Sequence, residues 1–204
     1  MVASPIRLRS RHRRLLTQNT SWKAVERSIQ NLAAHQALSA EGIRNLTQEK
    51  LRELIRPSGY MVRKTAALKA FVAFLDRDYA GSVETLAAAP LNTSRQQLLA
   101  LPGIGPETAD AILLYALGHS AMVVDEYLRR IATRHQLLPE KAKYDAIQTL
   151  AEEALKSYEP RTLAQHYNEF HALVVMVGKT HCGPKPKCEG CPLASFLPKT
   201  IRHA

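Results

Sequence analysis

The segment from Leu101 to Ala109 and the aspartate at position 125 contain the residues whose types and spacing could do chemistry. The segment reads Leu-Pro-Gly-Ile-Gly-Pro-Glu-Thr-Ala, so two glycines punctuate a tight turn before an apolar stretch that ends at Gly118. Asp125 follows four apolar residues and precedes another helical pattern. These patterns predict a turn that binds phosphate and a single carboxylate at the start of a helix.

The two glycines of the turn, Gly103 and Gly105, are expected to adopt backbone angles closed to other residues and to let a partner approach the main chain closely. Ile104 between them is expected to anchor the turn in the core. Free N–H groups and the positive end of the following helix favour an anion, and a phosphate bound there is bound without regard to base sequence. An ordinary helix–helix turn is the alternative interpretation.

Asp125 suits the cleavage of an N-glycosidic bond. Such a cleavage builds positive charge on the sugar, as glycoside hydrolysis does. A carboxylate beside that charge stabilises it and can orient or deprotonate a water molecule. The apolar residues before Asp125 are expected to leave it partly dry. A simple helix N-cap is the alternative, and the two roles are compatible.

The charge balance favours a polyanionic partner. The chain has 204 residues, with 28 lysines and arginines against 18 acidic residues, and a net charge of +10. No apolar run approaches the roughly 20 residues that cross a bilayer, and the basic N-terminus has no apolar signal core. We therefore expect a cytoplasmic protein with a nucleic acid as its partner and no membrane association. A generically basic soluble protein is the alternative.

The spacing of apolar residues predicts an all-α fold. Apolar residues recur every three or four positions, and no sustained alternation indicates a sheet. Proline and glycine predict breaks at 56–59, 90–94, 102–105, 138–139 and 159–160. The clearest helical stripes are Val25, Ile29 and Leu32; Ala66, Leu68, Phe71, Val72 and Leu75; and Ile147, Leu150 and Ala154.

Four segments together resemble the endonuclease III superfamily of helix-hairpin-helix DNA glycosylases, and most closely its 3-methyladenine glycosylase branch. They are residues 17–20 (Thr-Gln-Asn-Thr), residues 56–60 (Arg-Pro-Ser-Gly-Tyr) with Lys64, residues 105–113 of the hairpin segment, and Asp125. The resemblance covers about residues 15–197. It implies a helical-barrel domain with the hairpin over 15–136, a second helical lobe over 137–204 with 1–14, and a DNA cleft between them.

The resemblance also implies roles for individual residues. Asp125 stands at the family's catalytic aspartate. Gln18 would enter the gap left by a flipped base, and Trp22 and Tyr60 would line the base pocket, where an aromatic ring can stack on an alkylated purine. Core packing is the alternative for both aromatic residues. The residues implied to contact the DNA backbone are Gly103, Gly105, Lys64 and Arg129, with solvated helix faces as the alternative for the two cations.

Glu107 stands where bifunctional members of the superfamily carry a lysine that attacks the sugar. A carboxylate cannot form a Schiff base, so the resemblance implies a monofunctional enzyme. Glu107 could contact the flipped base or order a water molecule. A first-turn glutamate favoured by the helix dipole is the alternative.

Three cysteines near the C-terminus, Cys182, Cys188 and Cys191, indicate metal binding rather than disulfides in a cytoplasmic chain. The resemblance implies a [4Fe–4S] cluster, which needs four ligands, and Leu197 stands where the fourth is expected. Three interpretations stay open. They are a cluster with a non-cysteine fourth ligand, a zinc site completed by His181 or His203, and a loop without metal.

The sequence thus predicts a monomeric, monofunctional DNA N-glycosylase of base-excision repair that flips and excises an alkylated purine. A glycosylase for mismatched or oxidised bases is one alternative. A catalytically inert helix-hairpin-helix DNA-binding protein is another, although such a protein has no need of Asp125. The resemblance implies an apolar helix before the Gln18 motif, and only Leu15-Leu16 remains of it, behind an arginine-rich stretch. A truncated start and a misassigned start are both open interpretations.

Overall fold

The computed structural model describes residues 22–198, with the side chain of Trp22 left out, and this part of the chain is helical with no β-strand. The all-α expectation is confirmed. The α-helices of the described part are α1 Trp22–Ala34, α2 Ala40–Asn45, α3 Gln48–Ile55, α4 Met61–Tyr79, α5 Val83–Ala88, α6 Leu91–Leu99, α7 Pro106–Ile112, α8 Glu126–Arg134, α9 Tyr144–Leu155 and α10 Pro160–Thr180.

The chain forms two compact units, one that ends at His119 and one that begins at Ser120. The first contains α1 to α7, and the second contains α8 to α10 and the cysteine-bearing segment. This division precedes residue 136, where the sequence analysis ended the first domain. The assignment of domains to 15–136 and 137–204 stays a prediction.

The first unit is built on the apolar stripes that the spacing predicted. Val25, Ile29 and Leu32 of α1 are buried, as are most apolar residues of the 19-residue α4. Short helices begin where a hydroxyl accepts a free backbone N–H, as Ser39 does for α2 and Thr47 for α3. These N-caps explain why helices of only six and eight residues begin at defined positions.

The connection into α4 places Tyr60 outside the core. A short 3-10 turn, Arg56–Ser58, precedes Gly59, and Tyr60 then adopts left-handed backbone angles immediately before α4. The ring of Tyr60 is 62% exposed. The core-packing alternative for this residue is therefore wrong, because the turn directs the side chain to the surface.

The break predicted at 90–94 is shorter than expected. Pro90 is the N-cap of α6, so residues 91–94 are helical. Proline is tolerated at a helix start because the first N–H groups have no partner within the helix. Further along, α7 passes into a five-residue π-helical turn, Leu113–Leu117, and Gly118 ends it as predicted.

The second unit packs α8 against α10, with α9 beside α8. It begins with residues 120–125, which belong to no helix, and Ala121 to Val124 of this stretch are buried. None of the helices in the described part of the chain is both long enough and apolar enough to span a membrane.

Candidate active site

The hairpin between α6 and α7 uses its two glycines for different purposes. Gly103 has φ +79°, and a Cβ built there would lie 3.3 Å from the Cβ of Ala67. Gly105 has φ −93° and ψ −179°, which any residue adopts, so the expectation of unusual angles at Gly105 is wrong. Apart from its two chain neighbours, no atom of the described residues lies within 4 Å of a Cβ built on Gly105. The fold therefore does not require a glycine at position 105.

The rest of the hairpin is arranged as the sequence predicted. The side chain of Ile104 is buried and anchors the turn, while Pro102, Gly103, Gly105 and Pro106 are exposed. Backbone groups of an exposed turn in front of a helix are available to an anion. Glu107 is exposed in the first turn of α7.

An ion pair between Arg95 of α6 and Asp110 of α7 holds the two hairpin helices together. Arg95 Nε donates to Asp110 Oδ1 at 2.7 Å, and Nη2 donates to Oδ2 at 3.1 Å. The Asp110 side chain is fully buried. Two-point pairing of this kind fixes the relative orientation of the groups it joins. The sequence analysis missed this pair, because the arginine and the aspartate lie on different helices.

Lys64 does not lie on a solvated helix face. Its side chain is buried, with the residue 3% exposed, and its Nζ donates to the carbonyl oxygen of Ser58 at 2.6 Å. Desolvation by this burial lowers the pKa of Lys64 from 10.5 to about 8. The ammonium therefore closes the turn before α4, and the solvated-face alternative is wrong for this residue.

Asp125 is the N-cap of α8, as its sequence position predicted. Its Oδ1 accepts the backbone N–H of Leu128 at 2.8 Å, and the side chain is 12% exposed. Four buried residues precede it, so the carboxylate lies where little water reaches it.

Two residues of α9 hold the backbone in front of Asp125. The hydroxyl oxygen of Tyr144 accepts the backbone N–H of Val124 at 3.2 Å, and Gln148 Nε2 donates to the carbonyl oxygen of Met122 at 2.8 Å. Tyr144 and Gln148 are four residues apart and so lie on one face of α9. These two hydrogen bonds pair backbone groups of the irregular segment, and they fix the backbone immediately before Asp125.

The second carboxylate oxygen of Asp125 faces α10. Nε2 of His171 lies 3.5 Å from Asp125 Oδ2, and the His171 side chain is 6% exposed. The sequence analysis missed His171 as well, because it lies 46 residues beyond the aspartate. The available signal was a polar residue within the otherwise apolar stripe of α10.

Arg129 pairs within its own helix. Its Nη2 lies 2.7 Å from Glu126 Oε1, and Arg130 contacts the same carboxylate. These groups are partly exposed, so the interactions contribute little to stability. The DNA contact assigned to Arg129 stays a prediction.

The three cysteines border one small cavity of about 30 Å³ at the end of α8 and α10, and Leu197 lines it as well. Cys182 is buried and its Sγ accepts from Arg134 Nη1 at 3.2 Å, while Cys188 is exposed. Within residues 22–198, no three histidine, cysteine or acidic side chains come close enough together to hold one metal ion.

These residues do not complete a four-ligand set. The fourth place is taken by a leucine, and His181 Nδ1 lies 3.1 Å from the carbonyl oxygen of Lys187. Arg134 also donates to the carbonyl oxygens of Gly183 and Pro184 at 2.8 and 2.9 Å, so protein contacts reach this segment. The described residues therefore fit neither a tetrahedral zinc site nor a four-cysteine cluster.

Three expectations lie outside what the structure describes. Gln18 and His203 are beyond the described residues, and the side chain of Trp22 is not described. The gap-filling, metal-ligand and stacking roles assigned to them stay predictions. The pocket role of the exposed Tyr60 and the DNA contact of Lys64 also stay predictions.

Sequence comparison identifies one family. The profile described as the HhH-GPD superfamily of base excision DNA repair proteins matches residues 13–157. A Methanocaldococcus jannaschii protein described as a DNA repair glycosylase is 43% identical over 184 residues, which cover 89% of this chain and 81% of that protein. Endonuclease III-like protein 1 of mouse is 30% identical over 87% of this chain, and the match spans 55% of the mouse protein.

Solved structures agree with this assignment. A 3-methyladenine DNA glycosylase of H. pylori bound to 1,N6-ethenoadenine has a TM-score of 0.71 and 31% identity, with 84% of each chain covered. A non-covalent endonuclease III–DNA complex has a TM-score of 0.74 over all of this chain and 87% of the other, at 20% identity. The second likeness shows the fold alone.

Proposed function

The chain belongs to the HhH-GPD superfamily of base excision DNA repair proteins as a DNA glycosylase, and we propose that it is a monofunctional enzyme that excises alkylated purine bases from double-stranded DNA. The observation that carries the proposal is the position of the Asp125 carboxylate. It is nearly buried, it accepts a backbone N–H at the start of α8, and four buried residues precede it. A helix that needed only a cap would be served equally well by serine, threonine or asparagine.

Asp125 is proposed to stabilise the positive charge that develops on the sugar as the base departs. A carboxylate in a site with little water exerts a stronger field than one in bulk solvent. Its position also lets it orient or deprotonate the water molecule that attacks the sugar carbon. Neither role requires a covalent bond to the protein.

The hairpin is proposed to bind a DNA phosphate. The support is the open space beside Gly105 and the exposed backbone around it. No contact with other described residues accounts for a glycine at this position. A glycine that the fold does not need makes room for a close partner. Such a contact holds the duplex in position and carries no sequence information.

The monofunctional assignment depends on Glu107, which stands at the position of the lysine found in bifunctional members of the superfamily. Its carboxylate cannot form a Schiff base with the sugar. The proposed reaction is therefore hydrolysis that leaves an abasic site and an unbroken strand. The choice of alkylated purines is supported by the 31% identity to the H. pylori 3-methyladenine DNA glycosylase.

A panel of duplexes tests the substrate class. Each duplex carries one alkylated, oxidised or mismatched base, and strand breaks are counted before and after alkali. We expect alkali-dependent breaks with alkylated purines alone. If breaks appear only with oxidised or mismatched bases, those bases are the substrates and the proposed substrate class is wrong. If the protein binds DNA but releases no base, it is an inert DNA-binding protein.

For the cysteine-bearing segment, we propose that Arg134 and not a metal ion holds residues 182–184 in place. The support is the three hydrogen bonds that Arg134 donates to this stretch. Iron and zinc measured in the purified protein and in a Cys191→Ser variant test this proposal. Stoichiometric metal that disappears in the variant would contradict it.

A further inference from the structure

We propose that His171 is a positioning residue for Asp125: its imidazole Nε2–H holds carboxylate oxygen Oδ2 while the start of α8 holds Oδ1. The proposal rests on the function proposed for Asp125. The Nε2–Oδ2 distance is 3.5 Å, and both side chains are nearly buried. Hydrogen bonds at active sites are often long in free enzymes and shorten when substrate binds.

The location of His171 supports the assignment. The buried residues of α10 form one stripe, Tyr167, His171, Val174 and Gly178, spaced by four, three and four positions. A histidine costs more to bury there than a leucine would, unless its polar atoms find partners. One atom that lies close to it within the second unit is a carboxylate oxygen, and ionised acceptors form the stronger hydrogen bonds.

The pairing has a specific mechanical effect. The hydrogen bond from Leu128 N–H fixes one oxygen of Asp125, but the carboxylate can still turn about that bond. A second donor at Oδ2 removes this freedom and sets the plane of the carboxylate before substrate arrives. A neutral imidazole protonated at Nε2 is sufficient, and it leaves the negative charge of Asp125 available to the sugar. Preorganised groups of this kind lower the barrier because they need not reorient during the reaction.

A double-mutant cycle tests the proposal in the full-length protein. Single-turnover base release from duplex DNA methylated with dimethyl sulfate is measured for wild type, Asp125→Asn, His171→Leu and the double variant. His171→Leu should slow release by about 10- to 100-fold, the scale of a misplaced catalytic group. In the Asp125→Asn background, His171→Leu should have little further effect, because residues that act together are not additive.

Two variants separate positioning from packing and from proton transfer. His171→Gln keeps an N–H donor but cannot carry a proton between groups, so it should recover most of the rate. Val174→Ala removes buried volume from the same stripe of α10 and should leave the rate per folded molecule unchanged. A His171→Gln variant as slow as His171→Leu, or an equal loss in Val174→Ala, would overturn the proposal.

A second measurement does not depend on the substrate. The ¹⁵N NMR signals of the His171 ring should show a proton on Nε2 in wild type and should shift in Asp125→Asn. Unchanged signals would overturn the pairing itself. If Asp125→Asn excises bases normally, the proposed function fails. If Asp125→Asn is slowed as expected but His171→Leu slows it further by the same factor as in wild type, only the role of His171 fails.

Discussion

The aromatic ring of Tyr127 lies directly against the backbone of Gly178. A Cβ built on Gly178 would lie 2.3 Å from both Cγ and Cδ1 of Tyr127, far inside van der Waals contact. Tyr127 is on the first turn of α8 and Gly178 is near the end of α10, so this contact sets how closely the two helices approach. The same two helices carry Asp125 at one end and His171 two turns before Gly178.

Gly178→Ala should destabilise the second unit. Overpacking of a dense contact costs about 1–3 kcal/mol, while alanine regains about 1 kcal/mol of helix propensity, and ring atoms at 2.3 Å place the cost at the upper end. We expect a net loss on the order of 2 kcal/mol in chemical denaturation. Gly183→Ala is the control, since among the described residues other than its two neighbours a Cβ there would meet Lys185 O alone, at 3.7 Å. Equal stability of the two variants would show that α8 can move away freely.

Asp125→Asn should separate catalysis from stability. Asparagine caps a helix about as well as aspartate, so the free energy of unfolding should change by less than about 0.5 kcal/mol. Base release should fall by about two to four decades, which is typical of losing a positioned acid or base. Asp125→Ala is the matched variant, and it should lose about 1 kcal/mol as well because the cap is gone. Normal base excision by Asp125→Asn would show that Asp125 is not the catalytic residue.

Gly105→Asn should weaken DNA binding without weakening the fold. The backbone there suits any residue, the surroundings are open and asparagine is a good N-cap. Affinity for all duplexes should fall alike, as expected for a lost phosphate contact. Gly118→Asn is the control, because that site is equally open and asparagine tolerates its positive φ.

Titrations at several salt concentrations complete this experiment. Wild-type affinity should fall steeply as salt rises, given a net charge of +10. An affinity that does not depend on salt concentration, or equal losses of affinity in Gly105→Asn and Gly118→Asn, would argue against a phosphate site at the hairpin.

Glu107 predicts the outcome of borohydride trapping. The wild-type protein should give no covalent adduct with damaged duplex, because no lysine stands at position 107 to form a Schiff base. Glu107→Lys is the matched variant, since it restores an amine at that position and should give an adduct. A strong wild-type adduct would identify another amine as the nucleophile, and the protein would then be bifunctional.

Lys64 should make stability depend on pH. Its folded-state pKa of about 8 lies below the unfolded value of 10.5, so between these values the unfolded chain binds more protons. The contribution of Lys64 to the free energy of unfolding therefore becomes more favourable to the folded state as pH rises through that window. The Tm of wild type minus that of Lys64→Met should become more positive from about pH 7.5 to about pH 9.5. A difference that stays constant or falls over this range would contradict a buried Lys64 ammonium.

The sequence was sufficient for local features of the fold. The spacing around Val25, Ile29 and Leu32 predicted a buried helical face, and a stop at Gly118 followed from glycine's freedom at a helix end. Asp125 was recognised as a helix start because capping depends on neighbours in the chain. Each of these depends on residues within one or two helical turns.

Features that join distant segments were not predictable in this way. The Arg95–Asp110 pair and the approach of His171 to Asp125 depend on how helices pack, which spacing within one helix does not specify. The core alternative for Tyr60 was wrong because an aromatic residue beside a turn can face either way, and left-handed backbone angles at that residue direct it outward. The solvated-face alternative for Lys64 was wrong because lysine is rarely buried, so its burial could not be expected from its type.

The π-helical turn Leu113–Leu117 bears on how relatives should be aligned. A π-helical turn closes i→i+5 bonds, so it holds one residue more than the α-helical turn it replaces. Deleting one residue there would restore regular α-helix and leave the hairpin before it unchanged. When a relative is one residue shorter between the hairpin and Gly118, the gap belongs within 113–117. A gap placed among the hairpin glycines would pair residues that have no common structural position.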